Sequence, residues 1–173
     1  KVPFTVSART AMLIGQENFS NPEGAIVELV KNAYDADSPY CYILFDLSDP
    51  ETKSLYIIDS GCGMTMETIE TCWMRIGTDD KLLNAYSPAG RVKSGAKGIG
   101  RFALNRLGKG AQMLTRKANN PALRWSVDWD AFTKFGINVN DITAEIEEIS
   151  TSVIDNVFAR INEQFKVDIP PFS

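Results

Sequence analysis

The sequence predicts an α+β chain, and three observations carry that expectation. Apolar residues recur at three- and four-residue spacing over 23–37 and 152–166, the period of helices with one buried face. Runs rich in β-formers come in neighbouring pairs, Tyr42-Ile43-Leu44-Phe45 with Leu55-Tyr56-Ile57-Ile58, and 111–116 with 123–129. The 173 residues are 44% hydrophobic and 23% charged, a globular composition long enough for one domain with a real core.

Taken in order, Val2, Phe4 and Val6 alternate and suggest a short strand or an arm. Ser7 to Phe19 reads as a helix with Ala11, Met12, Leu13 and Ile14 available for burial. Ser20-Asn21-Pro22-Glu23-Gly24 breaks it and offers polar caps to the helix over 23–37, which Ser38-Pro39 ends. The first strand pair follows, joined by the polar loop Ser48–Lys53 and read as antiparallel. Its second member runs into Asp59-Ser60-Gly61-Cys62-Gly63-Met64. Two glycines behind an Asp at a strand end suggest a tight turn where the backbone approaches something closely.

Thr65 is placed to cap a helix over 66–76, with Glu67 and Glu70 near its positive end and Gly77 as its stop. Residues 78–98 hold charges, Gly, Ser and Pro with little periodicity; so long a run is a functional lid or a disordered segment. A glycine-rich loop then opens a helix that Gly108 stops. The second strand pair turns at Asn119-Asn120-Pro121. Asp141–Ile149 reads as an acidic helix, and 152–166 as an amphipathic one that buries Ile154, Val157, Phe158, Ile161 and Phe165.

Composition excludes several chemistries. The chain has no histidine, which removes Ser-His-Asp and Cys-His nucleophiles and histidine-ligated metals. Cys41, Cys62 and Cys72 are scattered, with no CxxC pair, which suits a reducing compartment and small packing roles. A net charge of −4 gives no basic footprint for nucleic acid. Neither a signal peptide nor an apolar run near about 18 residues is visible, so the expected setting is soluble and cytoplasmic, without a membrane partner. Lys1 at the start and Pro170-Pro171-Phe172-Ser173 at the end suggest the N-terminal fragment of a longer protein.

The helix over 23–37 has a polar face. At about 100° per residue, Ile26, Leu29, Val30 and Ala33 fall on one side and Glu28, Asn32 and Asp35 on the other. A carboxylate can take a proton from water, and an amide oxygen can ligate a hard cation such as Mg²⁺. A solvated face explains the same pattern, and Asp35 could equally be a solvated or capping residue. The glycine-rich stretch Gly95-Ala96-Lys97-Gly98-Ile99-Gly100-Arg101 would expose backbone N–H groups at a helix N-terminus, an anion site suited to phosphate. Lys97 and Arg101 could add charge, although an exposed Arg on a helix is common. It lacks the Gly-Lys-Ser/Thr of a Walker A loop. Gly98-Ile-Gly100-Arg-Phe-Ala103 matches a loose GxGxxA fingerprint without the preceding strand or the acidic residue about 20 positions on. There is no HRD or DFG to accompany a kinase loop.

Three stretches in one order, Glu28–Ala36, Asp59–Met64 and Gly95–Phe102, with a lid-sized gap between the last two, resemble the GHKL superfamily. It comprises DNA gyrase B, the heat-shock-ninety chaperones, sensor histidine kinases and MutL proteins. The resemblance covers about residues 7–117 and is nearest to heat-shock-ninety-like or MORC-like bacterial ATPases. It implies the Bergerat ATP-binding fold: a two-layer sandwich of a mixed, mostly antiparallel sheet with helices on one face. It implies one ATP-binding domain over 1–173, with 130–173 a helical extension or insertion.

The resemblance also implies ATP and Mg²⁺ as cofactors and hydrolysis of ATP to ADP and phosphate. Glu28 would be the general base and Asn32 the Mg²⁺ ligand, with Asp35 a further polar residue near the nucleotide. Asp59 would bind the adenine amino group, Gly61 would make the turn, and Gly63 and Met64 would shape the pocket. Thr78 would start the lid, and Gly95, Lys97, Gly98, Ile99, Gly100 and Arg101 would wrap the phosphates. Closure of the lid over 78–98 would drive a conformational change of a chaperone-like kind and couple to a nucleotide-dependent homodimer through the N-terminal region; the client or effector is open. A histidine-kinase-type domain and a nucleotide-binding switch with little turnover, serving DNA transactions or defence, are the alternatives. One departure stands out: the family's Gly-Thr pair on a late strand is missing, since Thr115 follows Leu114. That leaves the completeness of the nucleotide site open.

Overall fold

Local chemistry starts the second helix and local chemistry stops it. A computed structural model describes residues 2, 4–18, 21–77, 85–94 and 100–170. Helix α1 spans Ala8–Asn18 and helix α2 spans Pro22–Asp35. The Asn21 side chain accepts the Gly24 N–H at 2.8 Å, and Pro22 in the first turn has no N–H to lose. At the other end Ser38 N–H reaches the Ala33 carbonyl and Asp37 N–H the Tyr34 carbonyl. This double closure places Asp37 in the left-handed region, φ 63°, where glycine is usual.

Strands β1, Cys41–Asp46, and β2, Ser54–Asp59, pair antiparallel with Cys41 opposite Asp59 and Asp46 opposite Ser54. Thr65 caps the next helix as expected, its Oγ1 accepting the Thr68 N–H at 3.1 Å. Helix α3 covers only Met66–Thr68 and widens into a π-helical turn over Ile69–Trp73. The helix expected over 66–76 is thus shorter and irregular; such widened turns recur at functional sites. A short 3₁₀ turn, Gly100–Phe102, leads into helix α4, Ala103–Leu107.

Strands β3, Gly110–Arg116, β4, Ala122–Asp128, and β5, Glu145–Ile149, form a second antiparallel sheet in the order β3-β4-β5. Helix α5, Thr151–Phe165, is capped by Ser150 and closed by Lys166 at φ 53°. The chain is therefore α+β, with antiparallel pairing throughout the described sheets. Strand β5 corrects the acidic helix expected over 141–149. Ile146 and Ile149 are three apart, a helical spacing, yet in a strand they face opposite sides. Ile146 lies opposite Trp125, and Ile149 lies opposite Ala122, in two different core clusters.

That division organises the packing. On one side of the second sheet, Leu123 and Trp125 pack with Ile69, Trp73, Met64 and Leu104. On the other, Ala122 joins Ile154, Phe158 and Ile161 of α5, against which Tyr42, Leu44, Tyr56 and Ile58 also pack. Each fully buried side chain of this size contributes about 2 kcal/mol of hydrophobic stabilisation. Helix α5 therefore covers the strand face opposite the π-helical turn and α4. Ala25 and Ala103, both fully buried, let α2 and α4 approach closely. Among the described residues of the N-terminal arm only Ser7 is strand-like, bridging to Asn138, and Phe4 is fully exposed. No described helix is long and apolar enough to cross a membrane.

Candidate functional site

Helix α2 presents Glu28 and Asn32 one turn apart, both half-buried. Lys31 Nζ stands 3.6 Å from Glu28 Oε2. The close α2–α4 crossing brings Gly100 onto this face. A Cβ added at Gly100 would meet Glu28 Oε1 at 3.3 Å and Asn32 Nδ2 at 3.6 Å. The chain leaving the glycine-rich stretch thus rests on the carboxylate and the amide together.

Asp59 ends β2 with its side chain folded into the turn, Oδ1 accepting the Gly61 N–H at 2.8 Å. The turn is clamped to the end of α2. Cys62 N–H donates to the Ala36 carbonyl at 2.8 Å, and Ser60 N–H to Ser38 Oγ at 2.9 Å. Only glycine fits at position 61, where a Cβ would stand 2.6 Å from Ala36 Cβ. Gly63 has φ +64°, and a Cβ there would lie 2.0 Å from the Arg116 carbonyl oxygen. Met64 N–H donates to Thr115 Oγ1 at 3.0 Å. The buried Thr115 therefore supports the turn from β3 although no glycine precedes it.

Asp35 is 8% exposed and engaged elsewhere than a solvated face or a cap would have it. Its Oδ1 accepts the Ser94 N–H at 2.8 Å and the Ser94 hydroxyl at 3.1 Å. Next to it, Asp37 accepts the Ser87 hydroxyl and, at 2.9 Å, the Ala89 N–H. These bonds, with Arg91 3.8 Å from Asp37 and Lys93 nearby, hold the Asp37 carboxyl below its ordinary pKa. Arg91 also donates to the Ser38 and Tyr34 carbonyls and lies over the Tyr34 ring. Residues 85–94 form a tight turn, bridged at Tyr86 and Val92, docked on the C-terminal end of α2.

Arg101 points to the π-helical turn. It is 9% exposed, donates to the Cys72 carbonyl at 3.0 Å and lies over the Trp73 ring. Burial pulls its pKa down to about 10. Thr78, Gly95, Lys97, Gly98 and Ile99 lie outside the described residues.

Among the expected site residues, Glu28, Asn32 and Gly100 come together in one group, and Asp59, Gly61, Gly63 and Met64 in another at the end of α2. Sequence reasoning gave Ser38 only the role of ending the helix and passed over Ser87, Arg91 and Ser94, whose partners lie far off in the chain. No cluster of three or more His, Cys, Asp or Glu that could hold a metal occurs among the described residues. An amide oxygen beside a carboxylate still fits Mg²⁺, which is commonly held by one or two protein oxygens with phosphates and waters.

A family model described as histidine kinase-, DNA gyrase B-, and HSP90-like ATPase matches residues 19–159, most of the chain and all of the groups above. No match is found among the curated proteins.

Proposed function

This chain belongs to the family of histidine kinase-, DNA gyrase B- and HSP90-like ATPases, and on that premise we propose that it binds and hydrolyses Mg-ATP at the face of α2. ATP binding of the ATPase type is the property of the family. The assignment of residues is our own reading, and the approach of Gly100 to Glu28 and Asn32 carries it.

In this reading Glu28 orients the attacking water and accepts its proton, with Lys31 holding the carboxylate in place. Asn32 supplies an oxygen to Mg²⁺, which when bound neutralises phosphate charge. Backbone N–H groups at Gly100, with Lys97 and the other glycines of 95–99, cradle the phosphates. Asp59 accepts a hydrogen bond from the adenine amino group, in a pocket shaped by Gly61, Gly63 and Met64. Positioning and charge stabilisation are what phosphoryl transfer to water chiefly needs. We read 1–173 as one such domain, whose lid over 78–98 closes on nucleotide around residues 85–94, which stay docked on the end of α2. The exposed Val2 and Phe4 of the arm, with Leu13 and Ile14 of α1, support a nucleotide-dependent homodimer. The three free cysteines support a cytoplasmic setting.

Steady-state phosphate release with Mg-ATP tests the assignment. Glu28→Ala is expected to lower turnover by roughly a hundredfold or more while ATP still binds. Turnover equal to wild type would overturn the role of Glu28. Saturable ATP binding by wild type without phosphate release would replace hydrolysis by a nucleotide switch. Asp59→Asn is expected to weaken ATP binding, and unchanged affinity would remove the adenine assignment.

A further inference from the structure

Positions 28, 32 and 35 recur on one face of α2, and the seven steps from Glu28 to Asp35 advance about 10 Å along its axis. The chain on either side of the glycine-rich segment 95–99 touches both ends of this face. Ser94, just before it, is held by two hydrogen bonds to the buried Asp35. Gly100, just after it, lies against Glu28 and Asn32.

The segment leading to Ser94 is fixed by a second carboxylate. Asp37 binds the Ser87 hydroxyl and the Ala89 N–H, and Ser87 Oγ in turn accepts the Arg91 N–H at 2.9 Å. Arg91 returns to α2 through the Tyr34 carbonyl at 3.2 Å and to the residues just after it through the Ser38 carbonyl at 2.8 Å. Asp37 holds the strained backbone, φ 63°, that directs its side chain to this turn. The same five residues, 34–38, clamp the Asp59 turn through the Ala36 carbonyl and the Ser38 hydroxyl.

We propose that Asp35 and Asp37 are positioning residues for phosphate binding: they anchor 85–94 to the end of α2 and so fix where the chain stands at Ser94 relative to Glu28, Asn32 and the Asp59 turn. They act through Ser94 and Ser87 and make no contact with nucleotide. The inference rests on the proposed ATP site and deepens it. A backbone held at Ser94 and at Gly100 before the ligand arrives is preorganised, and preorganisation raises affinity. That gain goes to a ligand with phosphates and not to one without them. Loss of the anchor therefore changes the ratio of two affinities, which a merely structural role would leave alone.

The experiment is titration calorimetry of wild type, Asp35→Ala, Asp37→Ala and Ser87→Ala with Mg-ATP and, separately, with adenosine, beside thermal denaturation of each. Asp37→Ala is expected to weaken Mg-ATP binding by roughly tenfold, the size of one charge-assisted hydrogen bond, with adenosine affinity unchanged. Ser87→Ala should shift the ratio the same way, and combining Asp37→Ala with Ser87→Ala should add less than the sum, because both act through one contact. Ser87→Ala removes a single hydroxyl and carries the test should an Asp variant fail to fold. Equal weakening of both ligands, or no weakening of either, overturns the anchor while leaving the ATP site intact. A wild-type protein that binds adenosine and Mg-ATP equally, or neither, overturns the site reading and the anchor with it.

Discussion

Gly100 packs directly on the Glu28 side chain, so close that a Cβ there would stand 3.3 Å from Oε1 and 3.4 Å from Cγ. The backbone flanking the glycine-rich segment and the carboxylate assigned to water activation thus share one contact surface. Gly100→Ala should displace Glu28 by a few tenths of an ångström without disturbing the fold. Since a misplacement of about 1 Å can lower turnover by roughly a hundredfold, this smaller shift should lower it by roughly tenfold. Steady-state phosphate release measures it; turnover equal to wild type would reduce the contact to simple packing.

Gly63→Ala should destabilise the protein strongly. Its φ of +64° already strains any residue with a Cβ, and that Cβ would lie 2.0 Å from the Arg116 carbonyl oxygen, which is backbone and cannot swing away. Gly90→Ala is the control, with φ +83° and nothing within 4 Å. Urea denaturation should show a loss of about 1 kcal/mol at Gly90, from backbone strain alone, and a clearly larger one at Gly63. Equal losses would mean that the turn shifts freely away from β3.

Thr115→Val keeps the shape of a buried side chain and deletes the acceptor of the Met64 N–H. An unsatisfied buried N–H costs about 1–3 kcal/mol. Thr115→Ser, which keeps the hydroxyl, should recover most of that stability. If valine and serine behave alike in chemical denaturation, the hydrogen bond does not hold the turn.

Asp37 should give a defined pH dependence. The Ser87 hydroxyl, the Ala89 N–H and the charges of Arg91 and Lys93 lower its folded pKa below the ordinary value of 3.8. A depressed carboxyl stabilises the fold above its unfolded pKa, and the contribution is lost as pH falls through the folded pKa. The stability difference between wild type and Asp37→Asn should therefore be full at neutral pH and shrink as pH drops below about 4. Denaturation curves at stepped pH test this; a difference that grows on acidification would contradict it.

The sequence by itself determined the elements whose causes are local. Helix α2 follows from Asn21, Pro22 and a 3.6-residue apolar period, and β1 to β4 from runs of β-formers broken by polar turns. The group of Glu28, Asn32 and Gly100 was legible because helical spacing and glycine chemistry are written in neighbouring residues. Strand β5 was not legible. Glu145-Ile146-Glu147-Glu148-Ile149 suits a helix locally, and only pairing with β4, with Arg124 3.0 Å from Glu147, makes it a strand. The contacts of Arg101 with the Cys72 carbonyl and the Trp73 ring were another matter of the fold, since the sequence shows only its charge beside a glycine-rich segment. The hold of Asp35 on Ser94, and of Thr115 on Met64, was likewise decided by tertiary structure. A hydrogen bond between residues more than fifty positions apart leaves no periodicity for a sequence to show.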